Sequence, residues 1–125
     1  MNQVYISGFI VGKPVFRKEN ENTPHLMFTL DVQHKNRIGR IQHEHYTINA
    51  WNNIANWATG HLEDGKMVMI RGYLTQRVQR NEERMTVVTE VTAEEFLPVA
   101  LRYSRKETKE SIEAGCTVVE GTQSM

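Results

Sequence analysis

The chain has 125 residues, 39% hydrophobic and 24% charged, and its 15 Lys and Arg balance its 15 Asp and Glu; that predicts one domain with its own core and no global charge to attract a polyanion. Cys116 is the single cysteine, which excludes an intrachain disulfide framework and a cysteine zinc cluster and points to a reducing, cytoplasmic setting. Apolar runs are a few residues long, far below the ~20 a membrane-spanning helix needs, and no signal-like segment opens the chain, so neither secretion nor a membrane partner is expected.

From Val4 to Val11 the residues alternate, Val4, Ile6, Gly8 and Ile10 against Tyr5, Ser7, Phe9 and Val11, which is the period of a strand. Both faces are apolar, and one barrel interior accepts only one of them. Gly12, Lys13 and Pro14 predict a break, and Glu19 to Thr23 a polar turn that ends at Pro24. His25 to Gln33 is a second strand, with Leu26, Phe28, Leu30 and Val32 inward and His25, Met27, Thr29 and Asp31 outward. Lys35 to Arg40 holds three basic residues, a Gly and no acid, and reads as an exposed loop. Gln42 to Trp51 alternates again, placing Tyr46, Ile48 and Ala50 inward and His43, His45, Thr47, Asn49 and Trp51 on a half-polar outer face.

Asn52 or Asn53 is placed to cap a short helix in which Ile54, Trp57, Ala58 and His61 or Leu62 recur at helical spacing, ended by Asp64 and Gly65. Lys66 to Leu74 puts Val68, Ile70 and Leu74 on one side, with Gly72 marking a bend or bulge where backbones come close. The chain stays extended to Arg80, turns at Asn81, Glu82 and Glu83, and returns as a β-branched strand from Met85 to Ala93, with Phe96 to Val99 closing the domain. Residues 1–100 are expected to form that domain. Residues 101–125, rich in Ser, Thr, Lys and Glu, are expected to be a mobile tail, although Ser104 to Ala114 tolerates a short helix. Three strands, a short helix and two strands is the order of an all-β, five-stranded Greek-key barrel of the OB type, with its helix between strands 3 and 4. Such barrels bind oligonucleotides or oligosaccharides on strands 2 and 3, and fold alone does not choose between them.

Specific stretches add a resemblance. NQVYISG (residues 2–8), FTL (28–30), WNNIA (51–55), LEDGKMVMIRGYL (62–74) and TEV (89–91), in this common order, resemble bacterial single-stranded-DNA-binding proteins, over residues 1 to 98. TPHLMFTLD (23–31) also looks like the primosomal replication protein of the same superfamily. The resemblance implies a homotetramer that wraps single-stranded DNA over strand faces and loops and stacks bases on aromatic rings. Where that family presents stacking tryptophans, this chain has His45, Gln79 and a polar residue near Asn36, while Trp51 stands where the family commonly has Phe. The implied binding is weaker, or leans more on charge. The family's tail ends in an acidic cluster and a terminal Phe that recruit replication and repair proteins; this chain ends EGTQSM (120–125).

Trp51 is the leading stacking candidate, since a base on an aromatic ring gains ~1–3 kcal/mol whatever the sequence; packing under a loop or at a subunit contact is the alternative. His45 shares its face. Trp57 reads as core and Tyr46 as inward. Lys35, Arg37 and Arg40, and Arg71, Arg77 and Arg80, either form two phosphate-binding banks flanking strand 3 or are solvated charges. On the first reading the acids at 63–64, 82–83 and 94–95 occupy other surfaces. His43 and His45 share a face, but a structural zinc wants four ligands, so no metal and no cofactor is expected. Neither a nucleophile triad, a phosphate loop nor a carboxylate pair marks an enzyme. The doubly apolar first strand, through Val4, Tyr5, Ser7, Phe9 and Val11, is expected to meet a second copy. The function expected is sequence-nonspecific single-stranded DNA binding in replication, recombination or DNA transfer, by a homo-oligomer that is tetrameric by resemblance. Its rival is an OB adaptor acting through protein contacts.

Overall fold

β-branched and aromatic residues at period two build five strands in the computed structural model, which describes residues 1–18 and 23–102. They are β1 (Val4–Arg17), β2 (His25–Lys35), β3 (Ile41–Trp51), β4 (Lys66–Asn81) and β5 (Arg84–Arg102), with α1 (Asn52–Thr59) between β3 and β4. The strands close into a barrel in the order β1-β2-β3-β5-β4. Its ladders are antiparallel except β3 against β5, which run parallel through Ile48↔Val91 and Asn49↔Thr92. This is the five-stranded OB arrangement expected from the order of elements. Because β3 and β5 run parallel, the β2–β3 and β4–β5 hairpin tips project from the same end of the barrel.

The inner face supplies Ile10, Leu26, Phe28, Leu30, Ile48, Ala50, Val68, Ile70, Val91 and Ala93, and α1 closes the other end with Ala55, Ala58 and the following Leu62. Each large side chain among these contributes ~1.5–3 kcal/mol by leaving water. Gly72 is required by contact: a Cβ there would strike the Thr92 carbonyl, and the β4–β5 register shifts between Arg71 and Gly72, as the bulge expectation has it.

Several local expectations are corrected. Gly12, Lys13 and Pro14 do not end β1; the register with β2 shifts between Val11 and Val15, and Gly12 at φ 79° lets the strand bulge and continue, a position that tolerates proline's missing N–H. Neither Asn52 nor Asn53 caps α1 through its side chain, and the N-cap is Trp51. Instead the Asn52 backbone, at φ 58°, donates its N–H to the Pro24 carbonyl at 2.9 Å. Leu74 and Tyr46 lie partly exposed rather than inside. β1 stops pairing with β4 at Val4↔Gly72, and the β3–β5 ladder holds only at Ile48 and Asn49, so both side chains sit past the closed section. Trp57 is 38% exposed and not core, because Ala55 and Ala58 take the buried positions of the helix and the indole lies between Phe96 and His61 at its margin. β5 extends to Arg102; most of the expected turn at 19–23 and the expected tail from 103 onward lie outside the described residues. No helix among these is long and apolar enough to cross a membrane.

Candidate nucleic-acid interface

Strand alternation sends the even residues of β2 inward and leaves His25, Met27, Thr29 and Asp31 on an outer face, in register with Trp51, Asn49, Thr47 and His45 of β3. At one end of this face the exposed Trp51 ring lies on His25, centroids 4.0 Å apart and 19° from parallel. A buried polar chain stands behind that stack. Asn49 donates its Nδ2 to Glu90 Oε1 at 2.7 Å, so its Oδ1 is left to accept, and His25 donates through Nε2 at 2.7 Å. Arg77 Nε in turn donates to Glu90 Oε2 at 3.0 Å. Asn49 and Glu90 are both buried, and the Asn49 amide and both Glu90 oxygens have partners, the condition under which burying such groups is tolerated. The chain crosses β2, β3, β5 and β4 and fixes the Trp51–His25 platform to the barrel.

Farther toward the hairpin tip, Asp31 sits between two imidazoles, His43 Nδ1 at 3.0 Å and His45 Nε2 at 3.4 Å. His45 is exposed on the Trp51 face but tethered to this carboxylate. The opposite face of the same hairpin carries a second ionic group, in which Tyr46 donates its hydroxyl to Glu44 Oε1 at 2.8 Å and His34 Nε2 lies 3.2 Å from the same oxygen. The bond to Glu44 raises the His34 pKa above its ordinary value. Glu44 is lowered, first by the Tyr46 hydroxyl and then by His34, and the Tyr46 hydroxyl is raised by Glu44.

Lys35 ends β2 on the Trp51 face, and Arg37 and Arg40 occupy the exposed turn that follows. Asn36 orders this turn by accepting the Ile38 and Arg40 N–H groups on its Oδ1, each at 3.0 Å, and Gly39 supplies the left-handed residue at φ 82°. None of these three cations forms an ion pair among the described residues. The second expected bank divides. Arg77 is on the outer face but bound to Glu90, while Arg80, opposite Met85, points by alternation to the other face of the β4–β5 hairpin. Arg71 leaves the bank altogether. It stands across from Tyr5 on β1 and pairs with Glu94 at 3.3 Å and Glu95 at 3.6 Å. The register shift between Arg71 and Gly72, and the alternation that turns Arg77 and Arg80 to opposite faces, keep the three arginines of β4 from sharing one surface.

Residues 1–99 match the Single-strand binding protein family. The chain belongs to this family. A single-stranded DNA-binding protein of Aquifex aeolicus is 30% identical over 99 residues, covering 75% of this chain and 67% of that one. The crystal structure of the wild-type single-stranded DNA binding protein from Thermus aquaticus superposes with a TM-score of 0.69 at 21% identity, over 79% of this chain and 50% of that chain. The small single-stranded DNA-binding protein from Streptomyces coelicolor gives a TM-score of 0.63 at 24% identity, over 80% of this chain and 97% of that one. At these identities the two structures show a shared fold, and this chain spans half the length of the Thermus protein.

Within this member of the single-strand binding family, sequence reasoning passed over His25, Asn49 and Glu90. A signal for His25 was present, since an outward His on strand 2 stands opposite strand 3. Glu90 also carried one, an isolated acid between β-branched residues of a strand. Asn49 carried none, because its burial depends on the parallel approach of β5.

Proposed function

We propose that this protein binds single-stranded DNA without sequence preference, stacking bases on Trp51 and His25 and holding phosphates on Lys35, Arg37 and Arg40, in cytoplasmic replication, recombination or DNA transfer. The observation that carries it is the Trp51–His25 stack, an exposed aromatic platform locked from behind by a satisfied buried network. Stacking tolerates every base because every base has a π-face, and phosphate attraction is equally indifferent to sequence. Replication and repair proteins are the partner class such a role implies. Mobility-shift titrations with oligo(dT), a mixed-sequence single strand and a duplex check the reading. Comparable affinity for both single strands and much weaker duplex binding is expected; equal duplex binding, or none to any strand, contradicts it and favours the adaptor.

We infer in addition that copies associate through β1, giving a homo-oligomer, tetrameric by family resemblance. Tyr5 is 71% exposed; two residues on, Ser7 stands across from the exposed Met69, which stands across from the exposed Leu97, and Val11 lies farther along the same face. Val4 faces inward and packs against the core, so it supports this surface from beneath. Pairing with β2 begins only at Phe9, which leaves the edge of residues 4–8 open to a second copy. Light scattering of the wild type and of Tyr5→Glu decides this: an oligomer that Tyr5→Glu dissociates is expected, and a wild-type monomer at high micromolar concentration contradicts it.

A further inference from the structure

Trp57 belongs to a ladder of rings that runs from the core to solvent. Phe28 and Phe96 meet with centroids 5.9 Å apart, Phe96 and Trp57 lie 6.3 Å apart and 14° from parallel, and Trp57 and His61 lie 4.2 Å apart and 7° from parallel. The phenylalanines are buried and His61 is exposed. His61 Nδ1 lies 2.7 Å from the Trp57 carbonyl oxygen; a carbonyl only accepts, so Nδ1 carries the proton and the ring is held over the indole. Lys66 Nζ donates to the His61 carbonyl at 2.8 Å, which sets an ammonium at the backbone of the residue that carries this last ring. Ala55, Ala58 and Leu62 already close the barrel end, so the outer pair of rings is not needed to seal it.

We propose that the outer face of His61, backed by Trp57, is a second stacking station for a base of the same single strand, with an adjoining phosphate on Lys66. The proposal rests on the single-stranded DNA reading above. Trp51 stands at the N-terminus of α1 and His61 just beyond its C-terminus, so at a rise of 1.5 Å per residue the stations lie about 15 Å apart along the helix. Both are flat, rigid and anchored in the fold, so little rotamer freedom is lost when a base settles on them. Of the two acids that follow His61, Asp64 accepts the Gly12 N–H at 2.9 Å and is held toward β1.

Two single-tryptophan variants test this. Trp51→Phe leaves Trp57 as reporter, Trp57→Phe leaves Trp51, and each is titrated with oligo(dT) of about 16 nucleotides, the upper end of an OB-fold site. Quenching of both is expected. Further, His61→Ala and Lys66→Gln are expected to weaken binding of that oligomer about threefold to tenfold and to leave one of about 5 nucleotides unaffected. Quenching of Trp51 alone, or unchanged affinity in both the His61 and Lys66 variants, overturns the second station and leaves the proposed function standing. Quenching of neither tryptophan overturns both.

Discussion

Arg77 is the counter-ion of Glu90: the guanidinium Nε lies 3.0 Å from a carboxylate oxygen whose side chain is 7% exposed, while Arg77 itself is 52% exposed. An arginine that looks from sequence like a phosphate contact is therefore also a structural one. Arg77→Ala leaves a buried carboxylate short of a donor, which costs ~1–3 kcal/mol. Urea unfolding is expected to show that loss for Arg77→Ala and a change within about 0.5 kcal/mol for the exposed Arg37→Ala. Equal stabilities contradict the buried network.

Trp51 and His25 act as one platform, so both substitutions are expected to weaken oligo(dT) binding. Trp51→Ala removes ~1–3 kcal/mol per stacked base. His25→Ala has a smaller effect, because the indole remains but is no longer held at 4.0 Å from a partner ring. Fluorescence anisotropy of labelled oligo(dT) measures both, and a His25→Ala loss exceeding that of Trp51→Ala reverses the assignment.

Arg37 and Arg40 carry charge without an ion-pair partner among the described residues. Each alanine substitution is expected to flatten the plot of log affinity against log salt by about 0.7 per phosphate contact removed. An unchanged slope in both places the phosphates elsewhere.

Gly72→Ala drives a methyl into the Thr92 carbonyl, and backbone on both sides cannot move aside as a side chain can. Thermal unfolding is expected to show a large drop in Tm or no folded protein; a wild-type Tm contradicts the close approach.

The His34–Glu44 pair sets a pH window. His34 is raised and Glu44 lowered, so the contribution of His34 is full below the ordinary imidazole value and lost as pH rises through its raised value. That of Glu44 is present above the ordinary carboxylate value and lost on acidification through its lowered one. Both groups are exposed and salt screens the pair. An NMR titration is expected to show the His34 pKa falling in Glu44→Gln, and no change removes the pair from the account.

Alternation was enough to read that there are five strands and which residues from Leu26 to Val32 face inward, because that period is set by neighbours along the chain; the bulge that carries β1 past Pro14 was not legible, because it rests on pairing with β2. Where the barrel ends was not legible: Leu74 has the pattern of Val68 and Ile70, and only the missing partner strand leaves it exposed. Trp57 shows the same limit in a helix, since its spacing marks the inner stripe while Ala55 and Ala58 take the buried positions. At the interface, Trp51 stood out as a large ring on a polar face. Glu90 and Arg77 lie on different strands, and their pairing appears only once β4 folds back on β5.

The affinity of the wild type and of Trp51→Ala for oligo(dT) across a salt series separates base stacking at Trp51 from phosphate attraction. Stacking on a charged, sequence-indifferent face predicts wild-type binding that weakens steeply with salt, and in Trp51→Ala a parallel line displaced by ~1–3 kcal/mol, with the fold and oligomer intact. Coincident lines, or no measurable binding by the wild type at low salt, would contradict it.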